Sequence, residues 1–319
     1  MAQQNWVTWA AGGSYAAPLL SREIHEWAQF ELQFDQFCED ADEYGSGKGD
    51  IFFWGVDQDL AGVPTTFATS VLNENVPIPL SPWTRIRDSL TVSEIGRGTS
   101  MSKYLMTLSS LDVNERSKRR LKNHLVRIQD EGASAQFKAT DCKYSPTGAA
   151  AGTWSLTGVA GAAVTSNLTA WHFREVYEYM YQTLRIPPYD DEGNYICITT
   201  QQGIRGLHED PDYELTQIHS DPKKRLNGEV DYYHHFRIVR TNHPQALGTV
   251  GAGAVCAETV FFGEDAVMKA VAAEPIILAD KSGDFGRSLR VAWWGILGYG
   301  KIHDFTTVGD CRIVHIDSL

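Results

Sequence analysis

The residues of this 319-residue chain that could do chemistry fall into histidine, carboxylate and lysine–arginine clusters. His234-His235 is the densest imidazole pair, and His208, His219 and His243 could join it only through folding. Neighbouring imidazoles suit a metal ion or proton transfer. The run Tyr232 to Arg240 reads as β-rich, and adjacent strand residues point to opposite faces, so the pair is not expected to share an ion. The acidic runs Asp190-Asp191-Glu192 and Glu209-Asp210-Pro211-Asp212 read as solvated loops. No Walker loop, GxSxG, HExxH or Gly-rich dinucleotide turn is present. The expectation is a chain that is not an enzyme, with no catalytic residue, no metal site and no cofactor.

The strongest local signal is electrostatic. Arg116, Lys118, Arg119, Arg120, Lys122 and Arg127 crowd into one short stretch. The chain holds 28 bases and 40 acids, a net charge of −12, so the cluster stands against an acidic background. That balance argues against a general nucleic-acid binder, and a solvated helix face is the plainer reading of the cluster by itself. Five scattered cysteines, Cys38, Cys142, Cys197, Cys256 and Cys311, form no CxxC pair and read as free thiols in a reducing compartment. No basic leader precedes Trp6, and no apolar run is long enough for a membrane span.

The basic cluster must be positioned by a helix. From Leu111 to Ala139, Leu121, Leu125, Ile128 and Gly132 recur at spacings of four, three and four, with Val126 and Ala133 alongside. Ser110 or Asp112 can cap the start, and Glu115 lies in the first turn. At 1.5 Å per residue such a helix runs roughly 40 Å.

Around it the chain changes character several times. Residues 1–20 lack any period but carry Trp6, Trp9 and Tyr15, which suits an extended arm docked on its own domain or on a neighbouring subunit. Residues 21–38 show helical spacing of Ile24, Trp27, Phe30, Phe34 and Phe37. Residues 62–108 start with Pro64, Pro77, Pro79 and Pro82, which bar a central strand, and continue as an alternating run. The expectation there is a two-stranded excursion with little core of its own, whose Val76, Ile78, Leu80 and Trp83 need an outside surface and whose Arg85 and Arg87 can pair with a neighbour's acids.

Beyond a Gly/Ala-rich stretch at 140–166, Asn167 or Thr169 caps a second helix with Leu168, Phe173, Val176, Tyr177, Met180 and Leu184 on one face, ended by Pro187-Pro188. A strand at Tyr195–Thr199, a short helix near Ile204–Leu207, an Asn227-Gly228 turn, a strand and short helix within 254–273, and strands at 275–279, 289–302 and 311–316 follow. Apolar residues on both faces of 289–302 suggest a sheet covered on both sides. The fold class is α+β.

Five stretches carry a resemblance. SLTVSEIGRGTSMSKYLMTLSSLDVNERSKRRL, GNYICITTQQGIRGLHEDPDYEL, LNGEVDYYHHFRIVRTN, VFFGEDAVMKAVA and DFGRSLRVAWWGILGYGKI occur in that order. Together they resemble the major capsid proteins of tailed double-stranded DNA bacteriophages, with the Hong Kong 97-type coat fold. Asp231 stands where the third stretch usually has glycine, so that loop is expected to differ.

The resemblance implies an N-arm and first helix (1–50), an extended-loop region (51–110, the loop at about 62–108) and the spine helix of a peripheral domain (111–140). It further implies a mostly axial domain (141–273) and C-terminal strands of the peripheral domain (274–319). It also implies self-assembly into hexamers and pentamers of an icosahedral head, in a virion assembled in the host bacterial cytoplasm. The implied partners are a portal at one vertex, cement or decoration proteins, and packaged DNA held by non-specific contact. The scaffold would be a separate chain or absent, since little sequence precedes the first helix. A soluble α/β enzyme and a virion decoration or receptor-binding module are the competing readings.

Overall fold

The computed structural model describes residues 33–57 (without 43), parts of 70–83, 85–109, 111–213, 231–250, 256–281, 285–303 and 311–319. The arm, most of the first helix, the Asn227-Gly228 turn, Trp6, Trp9, Tyr15, Val76 and His219 lie outside the described residues.

The spine helix, α2, spans Val113–Lys138 after a short α1 at Lys103–Leu108. Asp112 caps α2: its Oδ1 accepts the Asn114 and Glu115 N–H groups at 2.9 and 3.0 Å. Two sheets lie against this one helix. A four-stranded sheet has the order β1 (Glu39–Asp40), β12 (Val267–Lys281), β13 (Ser288–Lys301), β4 (Ser93–Ser102). Leu121, Leu125 and Ile128 of α2 pack there with Met101, Val291 and Trp293. The C-terminal end of α2 turns to a second sheet, where Ala133 and Phe137 join Ile196, Val260, Phe262 and Ile313.

That second sheet is mixed. Its order is β6 (Ala151–Ser155), β5 (Lys143–Gly148), β14 (Ile313–Ser318), β11 (Cys256–Phe262), β7 (Tyr195–Thr199), β9 (Phe236–Arg240), β8 (Asp231–Tyr233), with β10 (Thr249–Val250) on β11. β14 runs parallel to β5, and β7 parallel to β9. All five residues of β7 are buried, which is why it reads as a continuous apolar run. Helix α3 (Ala170–Glu178), extended by a π-turn at Tyr179–Thr183, covers the face opposite α2 with Phe173, Val176, Met180 and Leu184. The Thr169 N–H at its start donates to His172 Nδ1 at 3.1 Å.

A two-stranded ribbon, β2 (Ile51–Asp57) with β3 (Arg85–Thr91), leaves the four-stranded sheet. Its root packs through Leu90, Val92, Phe52 and Trp54 onto Ala270 and Ile296. Glycine makes this close approach feasible: a Cβ at Gly300 would stand 2.8 Å from Leu90 Cβ, and one at Gly298 would stand 2.6 Å from the Thr91 carbonyl oxygen. At its C-terminal half β13 is therefore covered twice, with Tyr299 against Gly132 of α2 and Gly298 and Gly300 under the ribbon.

Four expectations are corrected. The excursion is displaced from 62–108 toward the N-terminus: its strands are 51–57 and 85–91, while 93–102 is a sheet strand paired with β13 and 103–108 is helical. The segment after Gly263 is not a helix but leads directly into β12. That strand spans 267–281 with register shifts between 271 and 276, and the last strand, β14, joins the eight-stranded sheet rather than the four-stranded one. His234 and His235 are not in a strand. They are the two-residue turn between β8 and β9, with φ of 44° and 63°. A two-residue hairpin of this kind requires positive φ at both positions, a conformation usually left to Asn-Gly. Tyr177 packs on both rings, stacking on His235 at 5.0 Å between centroids.

Candidate assembly surfaces

Among the described residues, the candidate histidines do not gather at one site. His208 lies 5.2 Å from the Tyr213 ring, His243 Nδ1 stands 3.1 Å from Asp130 Oδ2, and His234 and His235 occupy their turn. The acids at 190–192 and 209–212 are used locally. Arg237 bridges to Asp190, Arg174 to Asp212 and Arg205 to Glu209. The features left over are surfaces.

The first is the ribbon. Ile78, Leu80 and Trp83 beyond its strands are 68%, 94% and 62% exposed, and Phe53 on β2 is exposed as well. Exposed apolar side chains concentrated in one segment mark a contact surface. The two arginines expected to reach a neighbour are engaged within the chain. Arg85 meets Asp57 at 3.4 Å, with both side chains well exposed, and the Arg87 guanidinium lies 3.6 Å over the Phe53 ring. An exposed ion pair of this sort is worth little.

The second surface is the basic side of α2. Lys118, Arg119, Arg120 and Lys122 are exposed, and Arg116 and Arg127 are half-buried. The positive field continues across to β4. Burial, then Arg127 and Arg97, hold the His124 imidazole below its ordinary pKa, and its Nδ1 accepts the Trp293 indole N–H at 3.3 Å.

Two features went unread in the sequence. Asp130, the one charged residue of α2 that is buried, acts as a clasp. Its Oδ1 accepts the Phe34 N–H at 2.7 Å and the Asp35 N–H at 3.4 Å, while Oδ2 faces His243. Burial raises its pKa, and those hydrogen bonds oppose the rise. Asp130 shares the stripe of Phe137 and Ala133 at helical spacing, which was the available signal. The second is the hairpin end of β12 and β13, where Ile276, Ile277, Leu278 and Phe285 are exposed. The Pro275–Ala279 run predicts a strand, not its lack of cover.

No protein-family model and no curated protein matches the chain. Solved structures do match along nearly its full length. The head structure of Helicobacter pylori bacteriophage KHP40 superposes with a TM-score of 0.71 at 13% identity, covering 95% of each chain. The capsid of Ralstonia phage GP4 gives 0.64 at 14% identity over 95% of this chain and 96% of the other. The capsid asymmetric unit of cyanophage Pam1 gives 0.64 at 15% identity over 94% and 98%. With a spine helix carrying two sheets and a projecting ribbon, the chain has the α+β coat fold of phage capsid proteins, the Hong Kong 97-type fold.

Proposed function

We propose that the chain is a phage capsid protein, a structural, non-enzymatic subunit that assembles with copies of itself into the hexamers and pentamers of an icosahedral head around double-stranded DNA. The observation that carries this reading is the ribbon: a coat fold shared end to end with capsid chains projects apolar side chains that its own domain leaves uncovered. In this reading 1–50 is the N-arm, with Trp6, Trp9 and Tyr15 on a neighbour, and the ribbon with residues 58–84 is the extended loop lying on the next subunit. The four-stranded sheet with α2 is the peripheral domain, and most of the eight-stranded sheet is the axial domain.

The energetics favour a repeated contact. Burying Ile78, Leu80 and Trp83 contributes about 2 kcal/mol each. Ordering the segment costs about 1 kcal/mol or more per residue, so one clamp is weak. Closed symmetry repeats it, and effective concentration turns weak contacts into a stable shell. The exposed lysines and arginines of α2 face the packaged genome and touch phosphates without reading sequence. The portal, a separate scaffold where one exists, and cement proteins are the remaining partners, in a virion built in the host cytoplasm. No helix among the described residues is long and apolar enough to cross a membrane.

The test is Leu80→Ala with Trp83→Ala. The double variant is expected to stay folded by circular dichroism and to form no shells by electron microscopy. Unfolding of the isolated subunit would place the segment in its own core. Wild-type chains that stay monomeric at every concentration and salt would favour a decoration module.

A further inference from the structure

We propose that Glu258, His315 and Asp317 form a binding site for a divalent transition cation, with zinc as the reference ion, which ties β14 to β11. The strand register brings them together. Glu258 on β11 stands directly opposite Asp317 on β14, two like charges in a position that destabilises a sheet unless something intervenes. His315 is two residues before Asp317, so its ring projects from the same face.

The distances suit a shared ion better than a hydrogen bond. His315 Nε2 lies 3.5 Å from Glu258 Oε1 and 3.8 Å from Asp317 Oδ1, and the donor atoms of all three residues fall within 4.8 Å of one another. Two ligands each 2.0–2.2 Å from a tetrahedral zinc stand roughly 3.3–3.6 Å apart. A hydrogen bond between the same atoms would close to about 3 Å. His315 is 3% exposed, yet neither ring nitrogen has a hydrogen-bond partner, and Asp317 Oδ1 has none either. Buried imidazoles are ordinarily paired at hydrogen-bond distance, so a ring whose Nε2 reaches two carboxylates only at 3.5 and 3.8 Å points to a missing ligand between them.

The surroundings orient the site. Glu258 Oε2 accepts the Gly248 N–H at 2.9 Å and meets Lys138 Nζ at 3.3 Å, which leaves Oε1 for the ion. Supporting contacts of this sort fix a ligand's orientation. One nitrogen and two carboxylate oxygens, with no thiolate, match zinc, cobalt or manganese. Calcium takes six to eight oxygen ligands and magnesium near-octahedral oxygen coordination. Asp317 is the most exposed of the three, so its side of the site is the one nearest solvent. The rival is an imidazolium whose Nε2–H is shared between the two acids without metal; at 3.5 and 3.8 Å both contacts are long for hydrogen bonds, and the response to Zn2+ separates the two readings.

The experiment uses the full chain without a polyhistidine tag, treated with chelator, and Zn2+ alone as probe. Zn2+ is expected to raise the wild-type melting temperature, and chelator to reverse the rise. Asp317→Asn keeps size and shape and should weaken Zn2+ binding by calorimetry by on the order of tenfold or more, the scale set by loss of even an outer partner. Co2+ in place of Zn2+ should give a visible absorption band in the wild type that His315→Gln abolishes. No melting shift with Zn2+, or an equal shift and affinity in Asp317→Asn, overturns the proposal. If Asp317→Asn yields no soluble protein, the wild-type Co2+ spectrum decides, and absence of the band overturns it.

Discussion

The ribbon and the eight-stranded sheet use similar residues to opposite ends. In the sheet, Phe261 is fully buried, with Phe236 at 4.9 Å and Phe173 at 5.4 Å between ring centroids. On and beyond the ribbon, Phe53, Leu80 and Trp83 meet solvent within the subunit. The sheet is sandwiched by α3 on one face and the end of α2 on the other, whereas the ribbon has only its root embedded. Apolar composition alone therefore does not say where a core is. What decides is whether the chain supplies the second layer itself or leaves it to another molecule.

Substitutions can break that contrast, and the largest effect is expected in the sheet. Phe261→Ala should cost about 3–5 kcal/mol by denaturant unfolding, because the close-packed rings around it cannot collapse into the gap. A loss below about 1 kcal/mol would mean the sheet is no more self-sufficient than the ribbon. Next comes the clasp that ties the Phe34 segment to α2. Asp130→Ala removes the acceptor of the buried Phe34 N–H and should cost about 2–3 kcal/mol. Proteolysis near Phe34 should rise in the same variant.

A smaller effect is expected from pH. His172 is fully buried at the start of α3, and burial lowers its pKa from the ordinary 6.5 despite the Ala151 carbonyl and Glu175 nearby. Its neutral Nδ1 accepts the Thr169 N–H. Because the unfolded chain takes up the proton more readily, the stability this residue contributes is fully present above pH 6.5 and is lost as pH falls below it. His172→Gln should flatten that acid limb in urea melts between pH 7 and 5. An unchanged limb would move the acid sensitivity elsewhere. The smallest effect on subunit stability belongs to the ribbon. Leu80→Ala with Trp83→Ala should shift the unfolding midpoint by no more than about 0.5 kcal/mol while removing assembly. This last pairing of readouts sharpens the comparison most, since Phe261→Ala should do the reverse at temperatures where it stays folded.

Much of the architecture was legible from local pattern. The spine helix was expected at 111–139 and runs Val113–Lys138, because its stripe, its Asp112 cap and its length are all local properties. Tyr195–Thr199 was read to the residue, since a short β-branched run with turn signals on both sides has one reading. The apolar face of α3 was legible for the same reason. The coat fold was legible through five motifs in order rather than through any one of them.

Tertiary structure alone decided the rest. Alternation marks a strand but not its partner. Residues 93–102 therefore looked like part of an excursion until β13 was seen beside them, and β14 looked like a companion of β13 until it paired with β5 and β11. His234-His235 fell in a β-rich run, yet the register of β8 on β9 left two residues to turn the chain, and the turn imposed positive φ on both. Asp130 carried the composition of a solvated charge and became a buried acceptor because the Phe34 segment and His243 close over it. Glu258 and His315 are 57 positions apart in sequence and meet only through strand register. Periodicity is written into neighbouring residues and survives without the fold, whereas pairing, burial of a charge and convergence of side chains depend on contacts between distant segments.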